Sequence, residues 1–338
     1  MKILALNPGS SSIKRGSFAF PAGIRVDEPD DEPKPDAVGV RVVHGGSRFV
    51  AATRVDSPVI AELRELSDLA PLHNPRALAI IEETQHSWPG VPVVAVFDTA
   101  FHQSLPPVAA QYAVPAALAV RRYGFHGISY SYVASRIRAK RHIACHLGSG
   151  ASVCAMLDGH SVDTSMGFTP MEGLMMATRA GDLDPGAMLY LLRKGKSLDA
   201  LDELLNEQSG LAGVSGLTGD MRELERAAAE GNARAALAIE MFTYRVAKYV
   251  GAYATVLGGL DALTFTAGIG EHSPSIRAGI CQRLGFLGVV LDDELNGAQR
   301  HDDRRINRGP VATWVIPTNE ELEIARMTFE AVQTHPTG

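Results

Sequence analysis

Cysteine is scarce in this chain, with three among 338 residues. Cys145, Cys154 and Cys281 fall at no disulfide or metal spacing, which excludes a stapled secreted scaffold and suits a reducing cytoplasm. Positive charge is short as well: Lys and Arg total 32 against 38 Asp and Glu, for a net charge of -6. With a pI near 6.0 and no basic stripe, nonspecific nucleic-acid binding is not expected. No apolar stretch reaches the roughly 18 residues of a membrane helix, and the start, MKILALN, is too short and too lightly charged for a signal peptide. A cytoplasmic protein with no membrane partner is therefore expected.

Several motifs are missing too. No GxxxxGK[ST] occurs, so a P-loop ATPase is excluded. Gly268 to Ser273, GIGEHS, follows a strand pattern and precedes a helical one, but Ser273 stands where a dinucleotide fingerprint has its third glycine. His142 and His146 are spaced for zinc on a helix. The intervening Ile143, Ala144 and Cys145 favour a strand, where the two imidazoles lie too far apart for one ion. Ser10, Ser11 and Ser12 lack the context of a nucleophile elbow.

What is present begins at Lys2 to Lys14, KILALNPGSSSIK. An apolar run, Ile3 to Leu6, breaks into Asn7, Pro8, Gly9 and three serines, and the pattern resumes at Ile13 and Phe18. A turn of Gly and small hydroxyl residues between two strands lets backbone and hydroxyl donors surround a phosphate. Asn7 adds a neutral oxygen that suits hydrated Mg2+, and Lys14 adds a point charge. An ordinary hairpin with a serine-rich turn reads the same way locally. The device recurs at His142 to Leu157, HIACHLGSGASVCAML, around Gly148, Ser149 and Gly150. A third glycine turn, TAGIGE, follows the strand Leu263 to Thr266. The repetition suggests a duplicated domain with a nucleotide held between its halves.

Hydrophobic residues make up 46% and charged residues 21%, as in a globular chain long enough for two domains. Pro21 to Val40, rich in proline and acid, is expected to be a surface connection with no core element. Val38 to Val43 reads as a strand, Pro58 to Leu69 as a helix capped by Ser57, and Arg76 to His86 as a second helix after the break APLHNP. Val91 to Phe97 reads as a buried strand running into Asp98, either a ligand-handling carboxylate at a strand end or the cap of the next turn. His126, in RRYGFHG before a helix near Ser129, is either structural or catalytic. Thr164 to Pro185 is a long loop carrying Arg179, functional or merely exposed. Helical patterns fill Pro185 to Leu257, with Ala233 to Leu257 the longest, its apolar face belonging to core or to a subunit contact. Helices at Ser275 to Leu284 and Asn319 to Val332 flank a strand at Ala312 to Ile316. Glu320 and Glu321 open the last helix, where acids complement the dipole. This order describes an α/β chain with two mixed sheets and a hairpin at the start of each half.

In chain order, NPGSSSIK, RVVHGG, APLHNP, VFDTAFHQSLPP, YGFHGIS, CHLGSGAS, TSMGFTPMEGLMMATRAGDLDP, SGLAGVSG, FTAGIGEHS and VIPTNEELEIAR closely resemble the acetate kinase family over nearly the whole length. The resemblance implies two ribonuclease-H-like domains of the actin-like ATPase superfamily, with a nucleotide cleft between them. One would comprise 1–98 with 321–338 and the other 99–320. It also implies reversible phosphoryl transfer between ATP and acetate, with Mg2+ or alternatively Mn2+, in a homodimer. A propionate or other short-chain carboxylate kinase, or an actin-like nucleotide switch, are the alternatives.

Carried over residue by residue, the family pattern puts the metal at Asn7 and Glu320. The phosphates would meet Lys14 and His146, Leu147, Gly148, Ser149 and Gly150. Asp220, Met221 and Arg222, with Gly268, Ile269, Gly270, Glu271 and His272, would line the adenosine. Arg41 and Arg179 would hold the carboxylate and the moving phosphoryl group, His126 would donate to the equatorial oxygens, and Asp98 would orient the reacting groups. The acyl pocket would be Val43, Leu72, Phe125 and Pro170. Where family members carry a longer segment before RVVHGG, this chain has only Pro21 to Val40, which shortens the first domain. Pro8, Val40, Ser149 and His272 replace the residues usual in the family.

Overall fold

A computed structural model of the chain describes residues 1–9, 12–26, 34–71 and 73–334. Two compact units emerge. The first takes Met1–Gln103, Phe125–Ser135 and the C-terminal segment from Asn319, and the second takes Ser104–Gly124 and Arg136–Thr318. The strands are β1 (Lys2–Pro8), β2 (Ile13–Ala19), β3 (Ile24–Val26), β4 (Ala37–Val42), β5 (Thr53–Arg54), β6 (Val93–Phe97), β7 (Arg141–Leu147), β8 (Ala151–Leu157), β9 (His160–Thr164), β10 (Ala262–Thr266), β11 (Arg304–Arg305) and β12 (Ala312–Val315). The α-helices are α1 (Ser57–Glu65), α2 (Asn74–Ser87), α3 (Pro107–Ala110), α4 (Gly127–Arg136), α5 (Pro185–Arg193), α6 (Leu198–Glu207), α7 (Gly210–Ser215), α8 (Met221–Ala229), α9 (Ala233–Leu257), α10 (Ala267–His272), α11 (Pro274–Gln282), α12 (Asp293–Gly297) and α13 (Glu320–Thr334).

In the first unit six strands lie in the order β3-β2-β1-β4-β6-β5. β1 pairs antiparallel with β2 and parallel with β4, and β4 pairs parallel with β6. Alternation along the strands loads both faces. Leu4, Val38, Val40, Ala95 and Phe97 pack with Leu63 of α1 and Ile81 of α2. Ile3, Ala5, Val94 and Val96 point the other way, onto Ile324 and Ala325 of α13. Because both faces are covered, β6 is apolar throughout, and all five of its residues are buried.

The second unit repeats this plan in the order β11-β12-β10-β7-β8-β9. β7 pairs antiparallel with β8 and parallel with β10, β10 pairs parallel with β12, and β11 is the antiparallel edge. Strand for strand, the connectivity of the first sheet is reproduced, as a duplicated domain requires. α9 lies on β7 and β8 and buries Phe242, Val246 and Val250.

Some local expectations are revised. Pro21 to Val40 does hold core structure, because the apolar run begins directly after Pro35 and Asp36 and buries Ala37, Val38 and Val40. Ile24–Val26 adds an edge strand on β2, and 27–33 lie outside the described residues. Asp56, not Ser57, caps α1, its carboxylate accepting from the Val59 N–H at 2.9 Å. That helix ends at Glu65 and tightens to a 3-10 turn over Leu66–Leu69. α2 starts at Asn74 because Pro75, lacking an N–H, fits a first turn where no donor is needed. TAGIGE is a short helix rather than an open turn.

Candidate active site

In the first unit, the carboxyl ends of three neighbouring strands bring Asn7, Arg41 and Asp98 together. Arg41 Nη2 and Nε donate to Asp98 Oδ2 at 2.5 and 3.0 Å, and Nη1 donates to Asn7 Oδ1 at 3.3 Å and to the Pro8 carbonyl at 3.1 Å. Burial works against the Arg41 charge, but Asp98, Glu320 and Glu321 outweigh it and raise the pKa. Burial pushes the Asp98 carboxyl upward while Arg41 pulls it back. Both bonds require Asp98 to accept, so the pair is an ion pair with its geometry set. Asn7 Nδ2 in turn donates to Glu320 at 2.9 Å and to Glu321 at 3.0 Å. Glu321 joins this group without having been expected there. Lys14 lies opposite Asn7 in the β1–β2 ladder and is exposed. Gly9 N–H closes the turn on the Ser12 carbonyl at 2.8 Å.

His126 has φ +58, a left-handed backbone that a residue with a Cβ adopts at a cost of about 1 kcal/mol. The next residue shows why it is held there. Gly127 N–H donates to the Asp98 carbonyl at 2.9 Å, and a Cβ on Gly127 would collide with that oxygen. His126 is thereby tied by main chain to Asp98, a constraint that no local pattern reveals. Phe125 and Val43 are buried in this unit, and the Phe125 carbonyl accepts from His102 Nε2 at 3.0 Å. Leu72 lies outside the described residues.

In the second unit a cavity of about 420 Å³ is walled by Gly148, Ser149, Asp220, Met221, Arg222, Gly268, Ile269 and His272. The Gly148 N–H closes on the Gly150 carbonyl at 3.0 Å, and His146 and Leu147 form the strand that leads in. Asp220 caps α8, accepting from the Arg222 N–H at 2.9 Å, and Arg222 holds its carboxyl down to about 2. The wall also includes Glu225, which went unnoticed in the sequence and accepts from the Ser273 hydroxyl at 2.6 Å.

Gly270 and Glu271 sit behind this wall. Their carbonyls accept from Nη1 of the fully buried Arg277, both at 2.9 Å, and Glu271 Oε1 accepts from the Thr318 N–H at 2.9 Å. Burial pushes Arg277 down to about 10.

Arg179, also in this unit, is half-buried. Its Nη1 donates to the Pro170 carbonyl at 3.2 Å and approaches Met176 Sδ at 3.6 Å. Desolvation alone shifts it, downward, and no carboxylate among the described residues forms an ion pair with it.

The first unit holds a largely buried Arg–Asp pair and two acids on an amide, and the second holds a glycine-walled cavity. Such groups serve phosphate and carboxylate chemistry. The Acetokinase family model matches residues 25–326. Acetate kinases of Heliobacterium modesticaldum and Leifsonia xyli subsp. xyli are 51% and 52% identical, each over 88% of this chain and 78% of the relative. Among solved structures, Porphyromonas gingivalis acetate kinase superposes with a TM-score of 0.90 at 37% identity, over 98% of this chain and 99% of that one. A Francisella tularensis propionate kinase gives 0.88 at 37%, over 97% and 99%. With a family model spanning most of its length and relatives near half identity, the chain belongs to the acetate kinase family, kinases that transfer phosphate to a carboxylate.

Proposed function

We propose that this chain phosphorylates acetate from ATP by direct in-line transfer, and that Arg179 carries the reaction's main electrostatic burden. The supporting observation is its setting: a partly desolvated guanidinium with a carbonyl and a thioether for partners is poised for an anion that arrives with the substrates. Arg41, already fixed by Asp98, holds the acetate carboxylate. His126 donates to the equatorial oxygens of the moving phosphoryl group, and Asp98 keeps Arg41 in place. Val43, Leu72, Phe125 and Pro170 bound the methyl group. The cavity lined by Gly148, Asp220 and Gly268 takes the nucleotide, with Lys14, His146 and Gly150 toward its phosphates and with Gly270 and Glu271 backing the wall on its adenosine side.

Among the described residues no group of three or more His, Cys, Asp or Glu gathers as a metal cage. Asn7 beside Glu320 and Glu321 nonetheless fits Mg2+, a hard cation that takes few protein oxygens and keeps waters and phosphate oxygens. Asn7 and Glu320 would hold Mg2+, or Mn2+ in its stead, and the ion would neutralise charge on the triphosphate. A homodimer is supported by α5, whose Leu189, Tyr190 and Leu192 are exposed and which buries no residue. No helix among the described residues is long and apolar enough to cross a membrane, and the three free cysteines are buried, in keeping with a cytoplasmic enzyme.

The test is trapping of the acyl phosphate as its hydroxamate, with purified protein, ATP, Mg2+ and formate, acetate, propionate and butyrate. Acetate is expected to turn over fastest, with propionate slower. The added methylene changes the fit by only about 1 to 3 kcal/mol. No hydroxamate from any acid would refute the reading.

A further inference from the structure

Arg179 and Pro170 share a loop, 165–184 between β9 and α5, with no helix or strand of its own. A loop that long holds its shape only through side chains that bind its backbone. Arg122 does so for the first part of the loop. Its Nη1 donates to three successive carbonyls, Thr164 at 2.9 Å, Ser165 at 3.3 Å and Met166 at 3.1 Å. Its Nη2 donates to Glu172 Oε1 at 2.6 Å. One guanidinium thus gathers both ends of segment 164–172.

Tyr112 closes the same segment from the side. Its hydroxyl donates to Glu172 Oε2 and accepts from the Phe168 N–H at 2.8 Å. Tyr123 and Gly124 N–H both donate to the Gly167 carbonyl, at 3.0 and 3.2 Å. The arc is so tight that a Cβ on Gly167 would collide with Glu172 and the Tyr112 hydroxyl. Pro170 lies within it, and the Pro170 carbonyl receives Arg179 Nη1.

We propose that Arg122, acting through Glu172 and Tyr112, is a positioning residue for the reaction: it sets the Pro170 carbonyl and, through it, the orientation of the Arg179 guanidinium. The inference rests on the reading of Arg179 given above. Only a planar fork serves three carbonyls and a carboxylate at once, so lysine cannot replace Arg122. Segment 164–172 contributes no residue to the wall of the nucleotide cavity, which takes only Ala177 from this loop, so ATP binding should not depend on Arg122.

Arg122→Ala and Arg122→Lys should each lower kcat with acetate about 10- to 100-fold, as expected for a misplaced catalytic group, and keep the KM for ATP within about twofold. Tyr112→Phe, a milder change that leaves the Arg122–Glu172 pair intact, should lower kcat about 3- to 10-fold and speed amide exchange at Phe168. Turnover within twofold of wild type in Arg122→Ala, or full activity of Arg122→Lys, overturns the proposal. Equal losses in turnover and ATP binding do so too, since they indicate a merely structural role. If Arg122→Ala fails to fold, Tyr112→Phe decides alone: unchanged kcat and unchanged Phe168 exchange overturn it. Undiminished turnover in Arg179→Ala would instead remove the reading of Arg179, and Phe168 exchange would still report whether the clamp exists.

Discussion

The two sheets share one strand order but end their strands in opposite chemistry. In the first, the carboxyl ends of β1, β4 and β6 present Asn7, Arg41 and Asp98, bonded to one another and to Glu320 and Glu321. In the second, the corresponding ends of β7 and β10 present Gly148 and Gly268 on an open cavity. On one strand order, the strand ends of the first sheet carry a charge cluster and those of the second carry glycines beside a cavity. Charged groups fixed in advance suit a reacting anion, whereas glycines at the strand ends leave room for a large ligand.

The largest test of this contrast removes a charge from the first unit. Arg41→Gln, which removes the acetate's partner and leaves Asp98 unpaired, should lower kcat/KM for acetate by about 10³-fold, the scale of one partner lost from a buried charge pair, while the KM for ATP changes only a few-fold. Steady-state kinetics on folded variant decide it, and equal losses for both substrates would erase the division of labour. Next comes the cavity. A Cβ at Gly268 meets nothing within 4 Å, so Gly268→Leu should fold and fill the space, raising the KM for ATP about 10- to 100-fold, as a wall that excludes its ligand would. An unchanged ATP KM with a raised acetate KM would reverse the assignment.

The smallest effect concerns what each sheet buries in its first strand. β1 buries Ile3, Leu4 and Ala5, whereas β7 buries His142, whose Nε2 lies 2.8 Å from Thr264 Oγ1. Burial pushes this imidazole down to about 4. A depressed pKa means that the folded state prefers neutral histidine, so stability is full above about 6.5, the unfolded value, and is lost as pH falls toward 4. Between pH 7 and 4.5 the wild type should lose about 2 to 3 kcal/mol more than His142→Asn, judged by denaturant midpoints. Parallel losses would show that the imidazole is not linked to folding.

Local pattern revealed the strands and hairpins because side-chain period and turn composition act over a few residues. Asp98 was recognisable because a buried apolar run, VVAVF, stops there. Where a local signal misled, position slipped: Ser57 read as the cap of α1, but the Val59 N–H donates to Asp56. The Glu320 and Glu321 acids read as dipole complements because their partner, Asn7, stands 313 and 314 positions away. Arg122 was visible only as one of two arginines before YGFHG, since the carbonyls it binds lie at and after the end of the third strand that follows it.

The sequence by itself determined the alternation of elements, the repeated strand-turn-strand unit and, through its motifs, the family. All of these follow from spacing along the chain. Only the tertiary structure decided which charges are paired: Arg41 is bound to Asp98, while Arg179 leans on a carbonyl. The physical reason is that an ion pair or a clamped loop depends on distances through space, and these exist only once both sheets have closed their cores.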